Sequence, residues 1–320
     1  ARGRLSGAPA PAMGANCQCQ CVEACKHGGD KAGSGAGGHK AVGHALSFLS
    51  RSDRDAERES RPTFTFDSGA TYTGEWVGSR RDGEGSQVWS DGSEYTGQWK
   101  DDMASGWGRF KCSDGDVYEG EWMTDQAHGR GLYIHADGSR HEGYWEYDKQ
   151  CGEGTESWAD GARFKGSYRD GRKHGKGCFI FADGSRYEGE FAENDIHGEG
   201  RYTWVDGRAY SGLWVRNKMH GRGVFCWPDG RTYDGAYADD AKSGQGTFRW
   251  PDGRQYEGEW REGKQHGQGV RVTATGERRS GIWETGRRVR WLDDDPSDST
   301  CTPGTASRAT GGEGSPERTD

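Results

Sequence analysis

The sequence predicts an all-β protein, in which one twisted antiparallel β-meander of stacked hairpins forms an elongated solenoid. Three observations predict this fold class. One pattern returns every 23 residues from Asp67 to Gly269, without insertion or deletion. Apolar and polar residues alternate with period two inside each copy, as in a strand with one buried face. Glycine holds four positions of the pattern in all nine copies, and a fixed period of this length indicates a repeat array.

The first strand of each copy carries two aromatic residues around a glycine. In the first copy, Tyr72, Gly74 and Trp76 face one side, while Thr73 and Glu75 face the other. Because the glycine removes one side chain from the inner face, we expect large rings to lie across the strand there and to form the core. The tyrosine position recurs at Tyr72, Tyr95, Tyr118, His141, Phe164, Tyr187, Tyr210, Tyr233 and Tyr256.

The second strand of each copy follows a Gly-x-Gly pair. We expect the glycines of Gly83–Gly85 and its equivalents to bulge this strand and bend the sheet. Asp91-Gly92 then connects to the following copy and predicts a type I′ hairpin turn, since such turns need positive φ at both central residues. Each copy is therefore two strands, and nine copies would extend about 85 Å at ordinary strand spacing.

The repeated pattern Asp-Gly-x-x-Tyr-x-Gly-x-Trp, followed by Gly-x-Gly, resembles the MORN (membrane occupation and recognition nexus) repeat. It is well preserved in Asp183–Phe191 and the following His197–Gly200. The resemblance implies nine consecutive repeats. Similar arrays form rods that dimerise, grooves that hold a partner helix, and platforms near membranes or the cytoskeleton, so the resemblance implies a scaffold more directly than any one task.

The repeats divide the chain into three parts. Residues 1–60, rich in Gly and Ala, and the acidic residues 293–320 are interpreted as disordered tails. The array spans residues 61–292, with full repeats in 67–274 and half-repeat caps at 62–66 and 275–284. The sequence begins with Ala rather than Met, which fits a piece of a longer protein.

The charge distribution disfavours two classes of partner. The formal net charge is −8 overall, with +3 in residues 1–62, −6 in residues 63–292 and −5 in residues 293–320. Nucleic acid is therefore excluded as the main partner, because phosphate contacts need clustered Lys and Arg. An acidic array also disfavours broad attraction to anionic membrane lipid.

The cysteines indicate a reducing, cytoplasmic environment, since their number is odd, nine, and five of them lack paired spacing. The other four form a cluster: Cys17, Cys19, Cys21 and Cys25. Two functional interpretations of the cluster stay open, a zinc site and a palmitoylated membrane anchor. A third interpretation is a plain low-complexity tail.

The histidines do not predict an enzyme or a metal site. Five of them share one repeat position: His128, His174, His197, His220 and His266. Equivalent residues of successive repeats are about 9.5 Å apart at ordinary strand spacing, so they cannot share one metal ion. No nucleophile elbow or phosphate-binding loop is present either. We therefore expect no catalytic residue, no metal and no cofactor.

A binding function remains, and the aromatic face is the predicted site. An aromatic face on a single sheet layer cannot stay in water, so we expect it to curl, to pair in a homodimer or to grip a protein partner such as a helix. The predicted contact residues are Trp76, Trp99, Trp122, Trp145, Trp214 and Trp260, with Trp107, Tyr144 and Tyr147 as outliers off the core columns. We expect a cytoplasmic scaffold or adaptor, in a ciliary assembly like the radial-spoke head, at the cytoskeleton or peripheral to a membrane.

The resemblance also implies an alternative. Plant and algal phosphatidylinositol-phosphate kinases carry such an array before their kinase domain, and junctophilin-like proteins use one to tether membranes. In those readings this chain is a regulatory or phospholipid-binding module. The isolated array with short tails favours the scaffold.

Overall fold

The computed structural model describes residues 57–292, and all regular structure in that range is β-strand. The described residues form two compact units, with the boundary in the chain between Asp183 and Gly184. Residues 1–56, with the cysteine cluster, and residues 293–320 lie outside the described residues, so the predictions about them stay predictions.

The unit of residues 57–183 contains eleven strands, each antiparallel to its neighbours in the chain. They are β1 (Arg58–Thr65), β2 (Thr71–Val77), β3 (Arg80–Val88), β4 (Glu94–Lys100), β5 (Met103–Lys111), β6 (Val117–Met123), β7 (Gln126–Ile134), β8 (Arg140–Glu146), β9 (Lys149–Ser157), β10 (Arg163–Arg169) and β11 (Arg172–Ile180). The first strand begins at Arg58, inside the segment predicted to be a tail, and pairs with β2.

The unit of residues 184–292 contains ten strands with the same antiparallel pairing between chain neighbours. They are β12 (Arg186–Ala192), β13 (Asp195–Thr203), β14 (Ala209–Val215), β15 (Lys218–Cys226), β16 (Thr232–Ala238), β17 (Ala241–Arg249), β18 (Gln255–Arg261), β19 (Lys264–Val272), β20 (Arg278–Glu284) and β21 (Arg287–Trp291). The predicted all-β meander of two-stranded repeats is confirmed.

The bulge lies inside the second strand of each repeat. Gly74 pairs with Gly85 and Trp76 pairs with Arg81, so three residues of β3 oppose the single Glu75. The sequence places the start of the second strand after the Gly-x-Gly pair, but β3 already starts at Arg80 and the bulge takes up the extra length. Gly83 has a φ of 111°, a left-handed conformation that favours glycine.

The type I′ turn is at the opposite end of the hairpin from where the sequence predicts it. At Asp91-Gly92 only the glycine has a positive φ, and Gly92 N donates to Trp89 O at 3.0 Å while Trp89 N donates to Ser93 O at 2.9 Å. This is a three-residue connection, a type I turn completed by a left-handed glycine. The two-residue turn between the strands of one repeat has both φ values positive instead, as at Asp101 (51°) and Asp102 (69°).

The preceding repeat holds these two-residue turns in place. Asp102 N donates to Arg81 O at 3.0 Å, and Asp102 Oδ1 accepts from Arg81 N at 2.9 Å. The same two bonds join Asp125 to Ala104, Asp148 to Ala127, Asn217 to Ile196 and Asp240 to Met219. We call this series the turn ladder; it fixes the register of one repeat on the next.

The rings of the tyrosine column form the centre of the core. Tyr72 is fully buried, and its hydroxyl donates to Glu75 O at 3.0 Å. Its ring meets Trp76 edge-on at 5.1 Å and Trp99 of the next repeat at 5.4 Å. Each tyrosine thus joins its own tryptophan to the next one, and edge-to-face contacts of this kind add about 1 kcal/mol each beyond area burial.

Candidate partner-binding face

The six tryptophans predicted to contact a partner are core residues. They are between 2% and 7% exposed: Trp76, Trp99, Trp122, Trp145, Trp214 and Trp260. Five of them donate their indole N–H to a glycine carbonyl of the preceding repeat, at 3.1–3.3 Å: Trp99, Trp122, Trp145, Trp214 and Trp260. The indole N–H groups of these five are thus satisfied within the chain, whereas Trp76 Nε1 is buried without a hydrogen-bond partner. Their role as partner contacts stays a prediction, and their burial argues against it.

The aromatic face closes on itself because neighbouring rings cover one another. From the sequence alone we expect curling, pairing or a partner to cover this face, since a single sheet layer leaves it in water. Neighbouring rings provide the cover instead. Gly74 and Gly85 have no side chain, so the ring of Tyr72 lies flat along the sheet between the tryptophans. A flat ring shields far more backbone than an upright one, so the aromatic rings of the first strands need no second layer. Five tryptophans of the second strands are only half-buried: Trp89, Trp158, Trp204, Trp227 and Trp250.

The opposite surface, which we call the outer face, presents exposed aromatic side chains. In residues 57–183 it carries a row that crosses successive strands: Gln98, Trp107, Glu121, Arg130 and Tyr144. We call this the outer row. Trp107 is 52% exposed and Tyr144 is 41% exposed. They stand three strands apart, roughly 14 Å at ordinary strand spacing.

The outer row is ordered by hydrogen bonds. Arg130 Nη2 donates to the Tyr144 hydroxyl at 2.8 Å, and the guanidinium carbon lies 5.2 Å from the ring centroid. The hydroxyl holds the pKa of Arg130 above its ordinary value. Gln98 Oε1 accepts from Trp107 N at 2.9 Å, and Glu121 Oε1 accepts from Arg130 N at 3.0 Å. Long side chains at these two positions therefore cap the bulge and fix the backbone beneath the exposed rings.

The outer face of residues 184–292 contains a concave site of about 550 Å³. Its floor is made of small residues, Gly235, Ala236, Gly246 and Gly258. At the Ala236 position, five of the other eight repeats carry Glu or Gln, and the remaining three carry Tyr144, Ser167 and Leu213. Its walls carry both charges and apolar atoms, from Arg222, Asp234, Gln245, Thr247, Glu257 and Val270. We call it the outer groove. A floor of such small residues admits a large side chain of a partner, and the mixed walls offer it polar contacts.

Tyr147 belongs to neither feature. It is the first residue of the two-residue turn after β8, with a φ of 48°, and it is 52% exposed. Its ring meets the edge of His128 at 5.3 Å. A bulky residue in a left-handed turn is uncommon and strained.

Residues 57–292 include a buried charged cluster that is not among the sites predicted from the sequence. Lys173 Nζ lies 2.7 Å from Glu156 Oε2, which also accepts from the Tyr168 hydroxyl at 2.9 Å. His141 packs edge-on against Tyr168 at 4.7 Å, and burial lowers the pKa of His141 to about 4. The signal was in the sequence: Glu156 interrupts a column that is otherwise mostly aromatic.

The histidine position does not assemble a metal centre in the part of the chain that the structure describes. No group of three His, Cys, Asp or Glu residues within 57–292 is placed to hold an ion. His197 and His220 instead use their backbone carbonyls, which accept from Tyr187 and Tyr210 at 3.3 and 3.5 Å. At these two positions the main chain, not the imidazole ring, makes the hydrogen bond to the tyrosine. In residues 57–292 no helix has the length and apolarity needed to cross a bilayer.

Comparison with family models matches the MORN repeat nine times in succession: at residues 72–94, 95–117, 118–140, 141–163, 164–186, 187–207, 210–230, 233–253 and 256–278. The chain belongs to the MORN-repeat family. A MORN-repeat protein is in general a non-catalytic repeat scaffold. No curated protein matches the chain.

Solved structures similar to this MORN-repeat chain are distant. The TCP10 domain of Danio rerio CPAP, in complex with a STIL peptide, is 13% identical, covers 74% of this chain and 99% of its own, and has a TM-score of 0.39. The SAS-4 TCP domain of Drosophila melanogaster, in complex with a proline-rich motif of Ana2, is 14% identical, covers 62% and 98%, and has a TM-score of 0.31. Because both TM-scores lie below 0.5, these similarities say nothing about the partners of this chain.

Proposed function

We propose that this MORN-repeat chain is a scaffold that binds a segment of another protein on its outer face. One observation carries the proposal: the aromatic columns of the first strands are closed by the chain itself, whereas the outer row exposes Trp107 and Tyr144 over a hydrogen-bonded backbone. Trp, Tyr and Arg are the residue types that most often dominate binding energy at protein interfaces. The outer row holds one of each.

The partner is best matched by a helix or extended segment with apolar anchors. In the outer row, an apolar side chain can pack between the two exposed rings, and Arg130 can pair with a carboxylate beside them. The family resemblance independently implies a groove that holds a partner helix. We propose a ciliary or cytoskeletal assembly as the setting, on that resemblance alone.

The test is affinity capture with full-length protein and matched variants. We expect the double substitution Trp107→Ala with Tyr144→Ala to lower the yield of the captured partner at least tenfold. Val205→Ala is the control, because Val205 is exposed but lies in a turn between strands. Partner yield that survives the double substitution with unchanged folding contradicts an outer-face site.

Self-association and lipid binding are the competing functions. A homodimer predicts twice the 35.2 kDa chain mass in light scattering, and the double substitution must then return the mass to that of one chain if the outer face forms the contact. Phospholipid binding predicts flotation with anionic vesicles. We expect no flotation through the array, because its formal charge in residues 63–292 is −6.

A further inference from the structure

Long polar side chains cap the backbone bulge in several repeats. Glu75 Oε2 accepts from the backbone N–H of Glu84, the residue between Gly83 and Gly85, at 2.8 Å. Each such bond pairs a backbone N–H at the point where the bulge disrupts the ladder. Equivalent bonds of 2.9–3.4 Å join these pairs: Gln98 with Trp107, Glu121 with Arg130, and Glu259 with Gln268.

The carboxylate of such a cap lies over the first glycine of the Gly-x-Gly pair. A Cβ built on Gly129 would fall 2.6 Å from Glu121 Cδ, and a Cβ built on Gly267 would fall 2.6 Å from Glu259 Cδ. Both glycines are left-handed, with φ values of 63° and 59°. The capping group therefore has a defined position on the outer face, which we call the cap seat.

The repeat that contains Ala236 does not fill its own cap seat. Within residues 57–292, Ala236 Cβ at 3.6 Å is the only atom within 4 Å of a Cβ built on Gly244, its chain neighbours aside. Gly244 has a φ of 61°, as Gly129 has 63°, so the following amide, Gln245 N, has the orientation that Glu121 caps. Gly244 and Gln245 are exposed, and Ala236 and Gln245 line the outer groove. A side chain from solvent can therefore enter this seat.

A cation stands beside the seat. Arg222 is the cross-strand neighbour of Ala236, and its side chain is 83% exposed. Its Nη2 lies 3.6 Å from Asp234 Oδ1, a long and exposed ion pair that contributes little. A carboxylate in the seat would therefore meet a backbone N–H on one side and a guanidinium free to turn toward it on the other.

The acidic residues of the outer groove do not prevent this. Asp234 stands two residues before Ala236, and Glu257 is held in an ion pair with Arg278 at 2.5 Å. Other repeats place a glutamate in the cap position despite an acidic residue two positions earlier. These pairs are Glu119 with Glu121, Glu188 with Glu190, and Glu257 with Glu259.

The other repeats without a capping Glu or Gln lack these conditions. Leu213 covers its own seat, since its Cδ1 lies 2.8 Å from a Cβ built on the bulge glycine. At Tyr144 the cross-strand Arg130 is already bonded to the tyrosine hydroxyl. Ser167 is short, but its cross-strand neighbour is Glu153, whose carboxylate accepts from Ser167 Oγ at 2.6 Å. A second carboxylate there would meet like charge.

We propose that the outer groove binds a glutamate side chain of another protein in the cap seat at Ala236. The carboxylate accepts from Gln245 N and pairs with Arg222, and it completes this repeat as Glu121 completes its own. The outer groove therefore selects an acidic residue in the bound segment. This inference rests on the proposal that the outer face binds a protein segment, but it uses no residue of the outer row.

The test follows backbone amides by nuclear magnetic resonance in the full chain, at constant ionic strength. The probe is N-acetyl-glutamate amide, whose only charge is the side-chain carboxylate, and N-acetyl-glutamine amide is its matched control. We expect a saturable shift of the Gln245 amide in the millimolar range, since one residue makes few contacts. The glutamine probe should bind roughly fivefold more weakly, because it lacks the charge that pairs with Arg222.

Lys176 N is the internal control, since it is the equivalent amide at the Ser167 seat. We expect it to stay unshifted while Gln245 titrates. An equal shift at Lys176, or no saturable shift at Gln245 at any soluble probe concentration, overturns the proposal.

Substitutions at the seat complete the test. Ala236→Glu fills the seat with the residue that four other repeats carry, and it should abolish the titration. Ala236→Ser copies Ser167, is too short to cap, and should bind as the wild type does. Arg222→Gln should bind both probes equally weakly. Binding that persists in Ala236→Glu, or an undiminished preference for the glutamate probe in Arg222→Gln, overturns the proposal. None of these readouts involves Trp107 or Tyr144, so this proposal and the one on the outer row fail separately.

Discussion

The phenol ring of Tyr72 lies on the Cα atom of Gly85 in the neighbouring strand. A Cβ built on Gly85 would fall 2.5 Å from ring atoms Cε2 and Cζ, well inside contact distance. The tyrosine ring thus packs directly on the glycine backbone, and a residue with a side chain at the glycine position would displace the ring. The two positions therefore depend on each other throughout the array.

This dependence predicts unequal costs for two glycine substitutions. A Cβ on Gly131 would lie 2.6 Å from ring atom Cε2 of Tyr118, whereas one on Gly154 meets the smaller ring of His141 at 2.9 Å. We expect Gly131→Ala to lower the free energy of unfolding by about 3 kcal/mol and Gly154→Ala by about 1 kcal/mol. Neither glycine has a positive φ, so backbone strain does not confuse the comparison. Urea unfolding measures both, and equal losses contradict the ring-on-glycine account.

His141 predicts a loss of stability in mild acid. Burial lowers its folded-state pKa to about 4, below the ordinary 6.5, so the unfolded chain takes up the proton first as pH falls. The stabilisation is therefore complete above pH 6.5 and is lost between pH 6.5 and 4, by about 3 kcal/mol in total. His141→Phe copies Phe164 of the next repeat and should flatten this part of the pH profile. If the free energy of unfolding of His141→Phe depends on pH as it does in the wild type, groups other than His141 cause the loss of stability.

The Glu156–Lys173 pair predicts a sign reversal between single and combined substitutions. Glu156→Gln leaves the buried Lys173 ammonium without its carboxylate, and we expect a loss of about 3 kcal/mol. The triple variant Glu156→Phe, Lys173→Ile and Tyr168→Phe uses residues found at these positions in other repeats. We expect it to be at least as stable as the wild type. Chemical denaturation measures the free energy of unfolding of both variants. A triple variant that is less stable than Glu156→Gln contradicts the prediction.

Tyr147 predicts a stabilising substitution. Its φ of 48° suits glycine, which stands at the equivalent position as Gly78. We expect Tyr147→Gly to raise the free energy of unfolding by about 1 kcal/mol, through relief of left-handed strain. The control is Tyr147→Phe, which keeps the strain and should be neutral. If Tyr147→Gly gains stability but loses the captured partner, the strain is retained for binding.

The sequence predicts the strands well because their signal is local. Period-two alternation around Tyr72 and Trp76, and the Gly-x-Gly pair, each specify a backbone geometry without help from distant residues. The turns are less predictable. Asp-Gly is the strongest hairpin signal, yet Asp101 and Asp102 adopt the type I′ turn. The reason is the turn ladder: bonds to Arg81, 21 residues earlier, impose a conformation that these residues would not choose alone.

The candidate site is predictable only in part. The off-column residues Trp107, Tyr144 and Tyr147 can be recognised from their register, and all three are exposed. The burial of the tryptophan column cannot be read from register, because it depends on how flat the neighbouring tyrosines lie. The outer groove depends on Ala236 being small. This residue can be seen in the sequence, but it indicates a groove only once the glycines of the neighbouring strands are known to lie beside it.

The turn ladder has a consequence for how such a gene can change. Each rung links residues a fixed 21 positions apart, as Asp125 to Ala104 and Asp148 to Ala127 do. Removal of one residue from a repeat changes the spacing of every rung that contains the removed position. Removal of residues 118–140, one whole copy, instead places Asp148 at the usual 21 positions after Ala104, so that an equivalent rung can form. In-frame loss or duplication of 69 nucleotides, which encode one 23-residue copy, should therefore be tolerated better than loss of the three nucleotides that encode a single residue. Array length is then a quantity that unequal recombination can adjust in whole steps while each junction between copies stays the same.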